Sequence, residues 1–238
     1  SERVRTGNGR FLRDAADGRK GRYWGEDTEM RIYLFRHGET DWNKERRLQG
    51  QTDIPLNECG RELAVKTAEA MGGISFDRAF CSPLKRAQET ARILLGAAGV
   101  PLETDRRLME VGFGEWEGAG FDEAKQNPAH PLDDFYCRPE RYVPPRGGEA
   151  FQEVQRRGRQ FLEERIYPLE RVCGNVLIVA HGALNRGILN DILGIPLERF
   201  WEIQLPNCAA SILSLEEGRL RVTETSKVYY GTPVNGSP

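Results

Sequence analysis

The sequence predicts an α/β fold: a three-layer sandwich with a mostly parallel central sheet, helices on both faces and an antiparallel edge strand. Three observations predict it. From Met30 onward, short apolar runs alternate with stretches of helical periodicity. Asn175–Ala180 (NVLIVA) reads as a strand buried on both faces, and two apolar runs near the C-terminus flank Glu216-Glu217-Gly218 in the manner of a hairpin.

The elements follow in order. Arg31-Ile32-Tyr33-Leu34-Phe35 forms the first strand, and a helix near residues 58–71 follows the turn-forming Pro55 and Asn57 with Leu63, Ala64, Ala68 and Met71 on one face. A strand around 78–81 leads to a helix opening at Pro83, whose stripe is Ala87, Ala91, Leu94 and Ala98. The stretch 112–147 is rich in Gly, Pro, Asp and Arg and lacks periodicity, the pattern of a long excursion covering a site. Phe151, Val154, Phe161 and Leu162 mark a helix running to about Pro168. After NVLIVA come His181-Gly182 and a helix carrying Ile188, Leu189, Ile192 and Leu193, then strands near 208–215 and 219–225.

A length of 238 residues suits one domain, expected over 30–231, with 1–29 read as a leader or tag and 232–238 as a tail. No apolar run approaches the length of a membrane span. With a formal net charge of −2, the molecule as a whole does not attract nucleic acid, so any anion site must come from local clustering of arginines. The five cysteines are scattered without a Cys-x-x-Cys pair and read as reduced thiols of a cytoplasmic protein. The three histidines are far apart in sequence, so neither a metal nor another cofactor is expected. Oligomeric state stays open.

Chemistry concentrates at two strand ends, Phe35-Arg36-His37-Gly38 and Ala180-His181-Gly182. The carboxyl ends of parallel strands line the ligand crevice of an open α/β sheet, so both imidazoles are expected to meet there, joined by Arg36 and by Arg86 from the helix after the 78–81 strand. Such a cationic cluster calls for an anion, and a phosphoryl group matches planar guanidinium forks. Neighbouring arginines also depress an imidazole's pKa and keep it nucleophilic.

These residues resemble the histidine phosphatase superfamily, also called the phosphoglycerate mutase-like family, over roughly residues 30–230. The matching motifs are Arg36-His37-Gly38-Glu39-Thr40 with Trp42-Asn43; Gly50, Asp53, Pro55, Leu56 and Gly60; Ser82-Pro83-Leu84 with Arg86-Ala87 and Thr90; Glu110 with Phe113-Gly114 and Trp116-Glu117-Gly118; Gly147-Gly148-Glu149; and Val179-Ala180-His181-Gly182. The resemblance implies that His37 becomes phosphorylated, that Arg36, Arg86 and His181 hold the phosphate with help from Asn43, and that Glu110 exchanges a proton with the leaving group. Glu39 is expected to be supportive. The sequence departs from the pattern at Ala150, where many relatives have serine, and at Leu63, where glutamine is common.

Arg146, Glu149 and Asn207 are candidate substrate contacts, whereas His130 reads as a loop residue outside the site. The expected activity is a phosphatase acting on a small-molecule phosphate monoester, of the phosphatase branch because of the run Glu110 to Gly118. The alternatives are a phosphoglycerate mutase and a non-catalytic module that binds a phosphorylated ligand.

Overall fold

The computed structural model of the chain describes residues 29–122 and 132–231. Residues 1–28 of the expected leader, His130 and the tail 232–238 lie outside the described residues. Six strands, β1 (Met30–Arg36), β2 (Arg78–Cys81), β3 (Leu102–Thr104), β4 (Asn175–Ala180), β5 (Ala210–Glu216) and β6 (Arg219–Lys227), form one sheet in the order β3-β2-β4-β1-β5-β6. The first four in that order run parallel, while β5 joins β1 and β6 joins β5 antiparallel. Glu217 and Gly218, at φ +51° and +70°, make the two-residue turn between β5 and β6, because two left-handed residues match the twist of a tight hairpin.

The period-2 alternation of the central strands divides the core into two layers. Ile32, Leu34, Val176, Ile178 and Ala180 face one layer, and Tyr33, Phe35, Leu177 and Val179 face the other. The first layer is covered by α5 (Phe151–Phe161) and α6 (Gly182–Leu193). The second is covered by α3 (Lys85–Leu95) and by Met71 at the end of α2 (Glu58–Ala70). Fully burying one such side chain contributes about 1.5–3 kcal/mol, so a one-residue slip of β1 or β4 would exchange both layers and is strongly disfavoured.

Several expectations are corrected. The helix expected at Pro83 begins at Lys85: Ser82 accepts from the Leu84 amide at 3.3 Å, and Leu84 is still extended. It ends at Gly96, whose φ of +52° breaks it, so Ala98 is exposed and not on the apolar stripe. Strand β3 was not expected, since three residues carry no readable period. After Phe161 the helical path continues through a π turn, Leu162–Ile166, and a 3₁₀ turn, Tyr167–Leu169.

The described residues of the 112–147 excursion, 112–122 and 132–147, form a packed cap. It holds α4 (Leu132–Cys137), and Phe135 of that helix lies against Phe113, Tyr142, Phe151 and Trp201 with ring centroids 4.8–5.0 Å apart. Aromatic contacts, not a helical stripe, supply its core, which is why periodicity did not reveal it. Helix α1 (Asp41–Lys44) is a single turn after β1, started by the reciprocal bonds of Thr40 and Asn43.

Candidate active site

Adjacent strands β1 and β4 end in register at Arg36 and Ala180, so the next residues, His37 and His181, lie side by side with ring centroids 5.0 Å apart. On the other side of β4, strand β2 ends at Cys81 and leads into α3, whose first turn carries Arg86. The Arg86 guanidinium is fully buried and is aimed by three bonds: Nη2 to the Gly50 carbonyl at 2.6 Å, Nη1 to that of Thr52 at 2.8 Å, and Nε to Nδ1 of His181 at 3.3 Å. Arg36 donates from Nη1 to the Leu205 carbonyl at 2.7 Å. The expected convergence of two histidines and two arginines is present in the fold.

Hydrogen bonding sets both imidazole tautomers. Nδ1 of His37 faces the Gly38 carbonyl at 2.6 Å; a carbonyl only accepts, so Nδ1 carries the hydrogen and Nε2 keeps its lone pair. Arg86 only donates, so Nδ1 of His181 is the acceptor and its Nε2 carries the hydrogen. Burial first, then Arg86 and Arg36, hold the His37 pKa well below its ordinary value. Burial, Arg86 and His37 do the same for His181. Both rings are therefore neutral near pH 7. The Nε2–H of His181 and the Nε–H of Arg36 are buried donors without a partner among the described residues. Two orphaned donors beside a bare imidazole nitrogen form a receptor for oxyanion oxygens.

Glu110 arrives from the segment after β3. Its carboxylate accepts from the amides of Ala183 and Leu184 at 3.1 Å each, in the first turn of α6, and from that of Val111 at 2.9 Å. A helix N-terminus favours an anion, and here it fixes Glu110 beside His181. Gly38 is held by its amide bond to Thr90, 3.0 Å, and Glu39 accepts from the Asn57 side chain at 2.9 Å, so Glu39 supports the turn as expected.

The cleft is lined by Arg36, His37, Asn43, Arg86 and Glu110. Arg46, Leu48, Phe121, Tyr136, Arg186 and Trp201 line it as well. None of Arg146, Glu149 and Asn207, the expected substrate contacts, lines it. Arg146 is exposed, and its carbonyl accepts from the Glu115 amide at 3.3 Å. Glu149 is engaged with Arg157 through two bonds, 2.6 and 2.9 Å, and Asn207 donates to the His37 carbonyl at 3.0 Å, supporting the backbone behind the histidine. Arg186 and the cap residues Phe121 and Tyr136 were missed. The available signal for Arg186 was its spacing four residues after Gly182 on the helix that follows His181. Among the described residues no three His, Cys, Asp or Glu side chains group as metal ligands, and no described helix is long and apolar enough to cross a membrane.

Fold and site together define an α/β protein that gathers two neutral imidazoles and two buried arginines at the carboxyl edge of its sheet. The chain belongs to the histidine phosphatase superfamily, branch 1, whose family model matches residues 32–227. It is 30% identical over 188 residues to the adenosylcobalamin/α-ribazole phosphatase of Escherichia coli, covering 79% of this chain and 91% of that one. It is 33% identical over 180 residues to a 2,3-bisphosphoglycerate-dependent phosphoglycerate mutase of Gloeobacter violaceus, covering 74% and 82% respectively. Among solved structures, Bacillus stearothermophilus YhfR is similar with a TM-score of 0.76 and 33% identity, over 84% of this chain and 98% of that one.

Proposed function

We propose that the protein is a phosphatase that hydrolyses a small-molecule phosphate monoester through a phosphohistidine on His37. The observation that carries this reading is the pairing of a bare His37 Nε2 with the two unpartnered donors, Arg36 Nε–H and His181 Nε2–H, in one cleft. Nε2 attacks phosphorus while the P–O bond to the leaving alcohol breaks; Arg36, Arg86, His181 and Asn43 hold the phosphoryl oxygens. Glu110, which lines the same cleft, gives its proton to the departing oxygen. As a carboxylate it then takes a proton from water, whose oxygen attacks phosphorus; the N–P bond breaks, its electron pair returns to Nε2, and inorganic phosphate leaves. None of these steps requires a metal. The α-ribazole phosphatase among the relatives supports hydrolysis as the outcome. All five cysteines are free thiols, which supports a reducing, cytoplasmic setting.

The mutase relative favours a second reading, in which the phosphoryl group returns to another hydroxyl of a phosphoglycerate. The test is turnover of ³²P-labelled small esters with rapid acid and base quenching. Acid-labile label on wild type, absent from His37→Ala, with inorganic phosphate as product, is the expected result. Label transfer to added phosphoglycerate without release of phosphate would establish the mutase. No turnover of any ester, including p-nitrophenyl phosphate, would sink both and leave the phospho-ligand module.

A further inference from the structure

We infer that Glu117 is a positioning residue: it shapes the loop 50–52, whose carbonyls aim Arg86, and through Arg86 it holds His181 in one tautomer. This rests on the phosphatase reading, in which Arg86 and His181 hold the phosphoryl group. Glu117 itself does not line the cleft.

Local pairing brings Glu117 to that loop. The Gly118 amide donates to the Leu48 carbonyl at 2.8 Å, the Leu48 amide donates to that of Ala119 at 2.9 Å, and Arg47 forms a bridge with Gly120, so the two segments run side by side. Oε1 of Glu117 then accepts from the amides of Gln51, at 2.8 Å, and Phe113, at 3.2 Å, while Oε2 accepts from the Thr52 hydroxyl. Gly50 has a φ of +50°, and a Cβ there would run into Oε1, so only glycine admits the carboxylate. The loop has little other support. No helix or strand lies between α1 and α2, and within 50–52 only the Thr52 amide finds a backbone acceptor, the Gln49 carbonyl at 3.1 Å.

What the loop does is aim a cation. Two of the three bonds that orient the buried Arg86 guanidinium end on the Gly50 and Thr52 carbonyls, at 2.6 and 2.8 Å, and the third runs from Nε to Nδ1 of His181 at 3.3 Å. A guanidinium is a rigid planar fork, so carbonyls that fix its two Nη atoms also fix the direction of Nε. The bond from Nε in turn keeps the hydrogen of His181 on Nε2, where it can meet an oxyanion. Charge acts in the same sense: burial lowers the pKa of Arg86 to about 10, and the carboxylates of Glu110, Asp53 and Glu117 oppose that fall. Glu117 also joins the two halves of the chemistry. It holds the Phe113 amide, and the Gln51 side chain donates to the Glu110 carbonyl at 3.2 Å, so the loop that aims Arg86 is tied to the segment that carries Glu110.

The test reads the His181 ring and phosphate binding, so it does not depend on turnover. Nitrogen NMR of ¹⁵N-histidine protein follows the three imidazoles of the chain, and calorimetry measures binding of inorganic phosphate, in wild type, Glu117→Ala, Glu117→Gln and Thr52→Val. Wild type is expected to show His181 as the Nε2–H tautomer. Glu117→Ala leaves the Gln51 and Phe113 amides without their acceptor. His181 should then become a mixture of tautomers while His37, fixed by the Gly38 carbonyl, keeps its own, and phosphate should bind about 10- to 100-fold more weakly. Glu117→Gln still accepts through its oxygen and can donate to the Thr52 hydroxyl, so it should keep the tautomer and bind phosphate within about threefold of wild type. Should Ala fail to fold, Thr52→Val, which deletes one of the bonds at nearly constant shape, should move the His181 signals in the same direction and weaken phosphate by about two- to tenfold. An unmoved His181 in both Ala and Val overturns the proposal. So do equal changes at His37 and His181, which would mark a general loosening of the site, or a loss in Gln as large as in Ala, which would make charge and not shape the contribution. Turnover of p-nitrophenyl phosphate by wild type tests the phosphatase reading separately: a protein that cleaves no ester yet shows the His181 response would sink that reading and leave the role of Glu117 standing.

Discussion

Glu149 grips Arg157 through a two-bond pair, Nε to Oε1 at 2.6 Å and Nη2 to Oε2 at 2.9 Å, and Arg157 uses its remaining donors on the segment that carries Glu110. The guanidinium donates to the carbonyls of Arg107 and Met109 at 2.6 Å and of Glu110 at 3.0 Å, while Glu149 also accepts from the Gly112 amide at 3.3 Å. The pair is a bracket on both sides of Glu110, the proposed proton donor. Glu149→Gln removes the charge that holds Arg157 in place, and a shift of about 1 Å in a catalytic group can cost on the order of 10²-fold in rate. We expect kcat for an alkyl phosphate to fall roughly 10- to 100-fold with KM nearly unchanged, and stability to fall by about 1–3 kcal/mol. A variant with lowered melting temperature but unchanged kcat would reduce the pair to a scaffold.

The roles assigned to His37 and Glu110 separate by leaving group. In Glu110→Gln, attack by His37 on an ester of a strongly acidic phenol needs little proton assistance, whereas an alkyl ester loses most of the 10²–10⁴-fold that general acid catalysis supplies, an order-of-magnitude expectation. Water activation is impaired for both, so phosphohistidine should accumulate. Steady-state and burst kinetics on p-nitrophenyl and propyl phosphate check this; equal losses on the two with no burst would remove Glu110 from the proton-donor role.

Ala150 departs from the serine common at its position, and the structure gives that departure a structural meaning. It is the N-cap of α5, where the Glu153 carboxylate accepts from the Ala150 amide at 2.9 Å, but alanine has no hydroxyl to accept from the Glu153 amide in return. Half of a capping box is present. Ala150→Ser should complete it and stabilise the fold by about 0.5–2 kcal/mol, raising the melting temperature by a few degrees while leaving kcat/KM for propyl phosphate within twofold. A change in KM without a change in melting temperature would place the hydroxyl at the site instead.

The sequence made one side of the site legible because its residues sit at strand ends and first helical turns, where local pattern fixes direction: His37, His181 and Arg86 all stand within six residues of a parallel strand's end. The side of the site formed by the cap was not legible. Phe121 and Tyr136 of the cap pack on each other, and Tyr136 on Trp201, through long-range aromatic contacts that leave no period in the chain. Glu149 was misplaced for a related reason: a carboxylate in a motif looks the same whether it meets a ligand or a partly buried arginine eight residues along the chain.

The lowered pKa values of His37 and His181 fix how stability depends on pH. Both groups are cations in their acid form, and the folded site disfavours that form through burial and through Arg86 and its neighbours. Above about pH 6.5 the imidazoles are neutral in both folded and unfolded chains and contribute no slope. Below it, the unfolded chain binds protons that the folded chain refuses, so stability falls with falling pH by up to about 1.4 kcal/mol per unit for each ring, until the folded pKa is reached. Inorganic phosphate should reverse part of this, because an oxyanion between the rings favours their charged forms and offsets Arg36 and Arg86. Chemical denaturation at pH 7.5, 6.5 and 5.5, with and without saturating phosphate, is the measurement. We expect a steep decline without phosphate, a shallower one with it, and a decline reduced by roughly half in His181→Asn. A slope that is the same in all three conditions would mean that the imidazoles are not held neutral, and His37 would then lack the free lone pair on which its role as nucleophile depends.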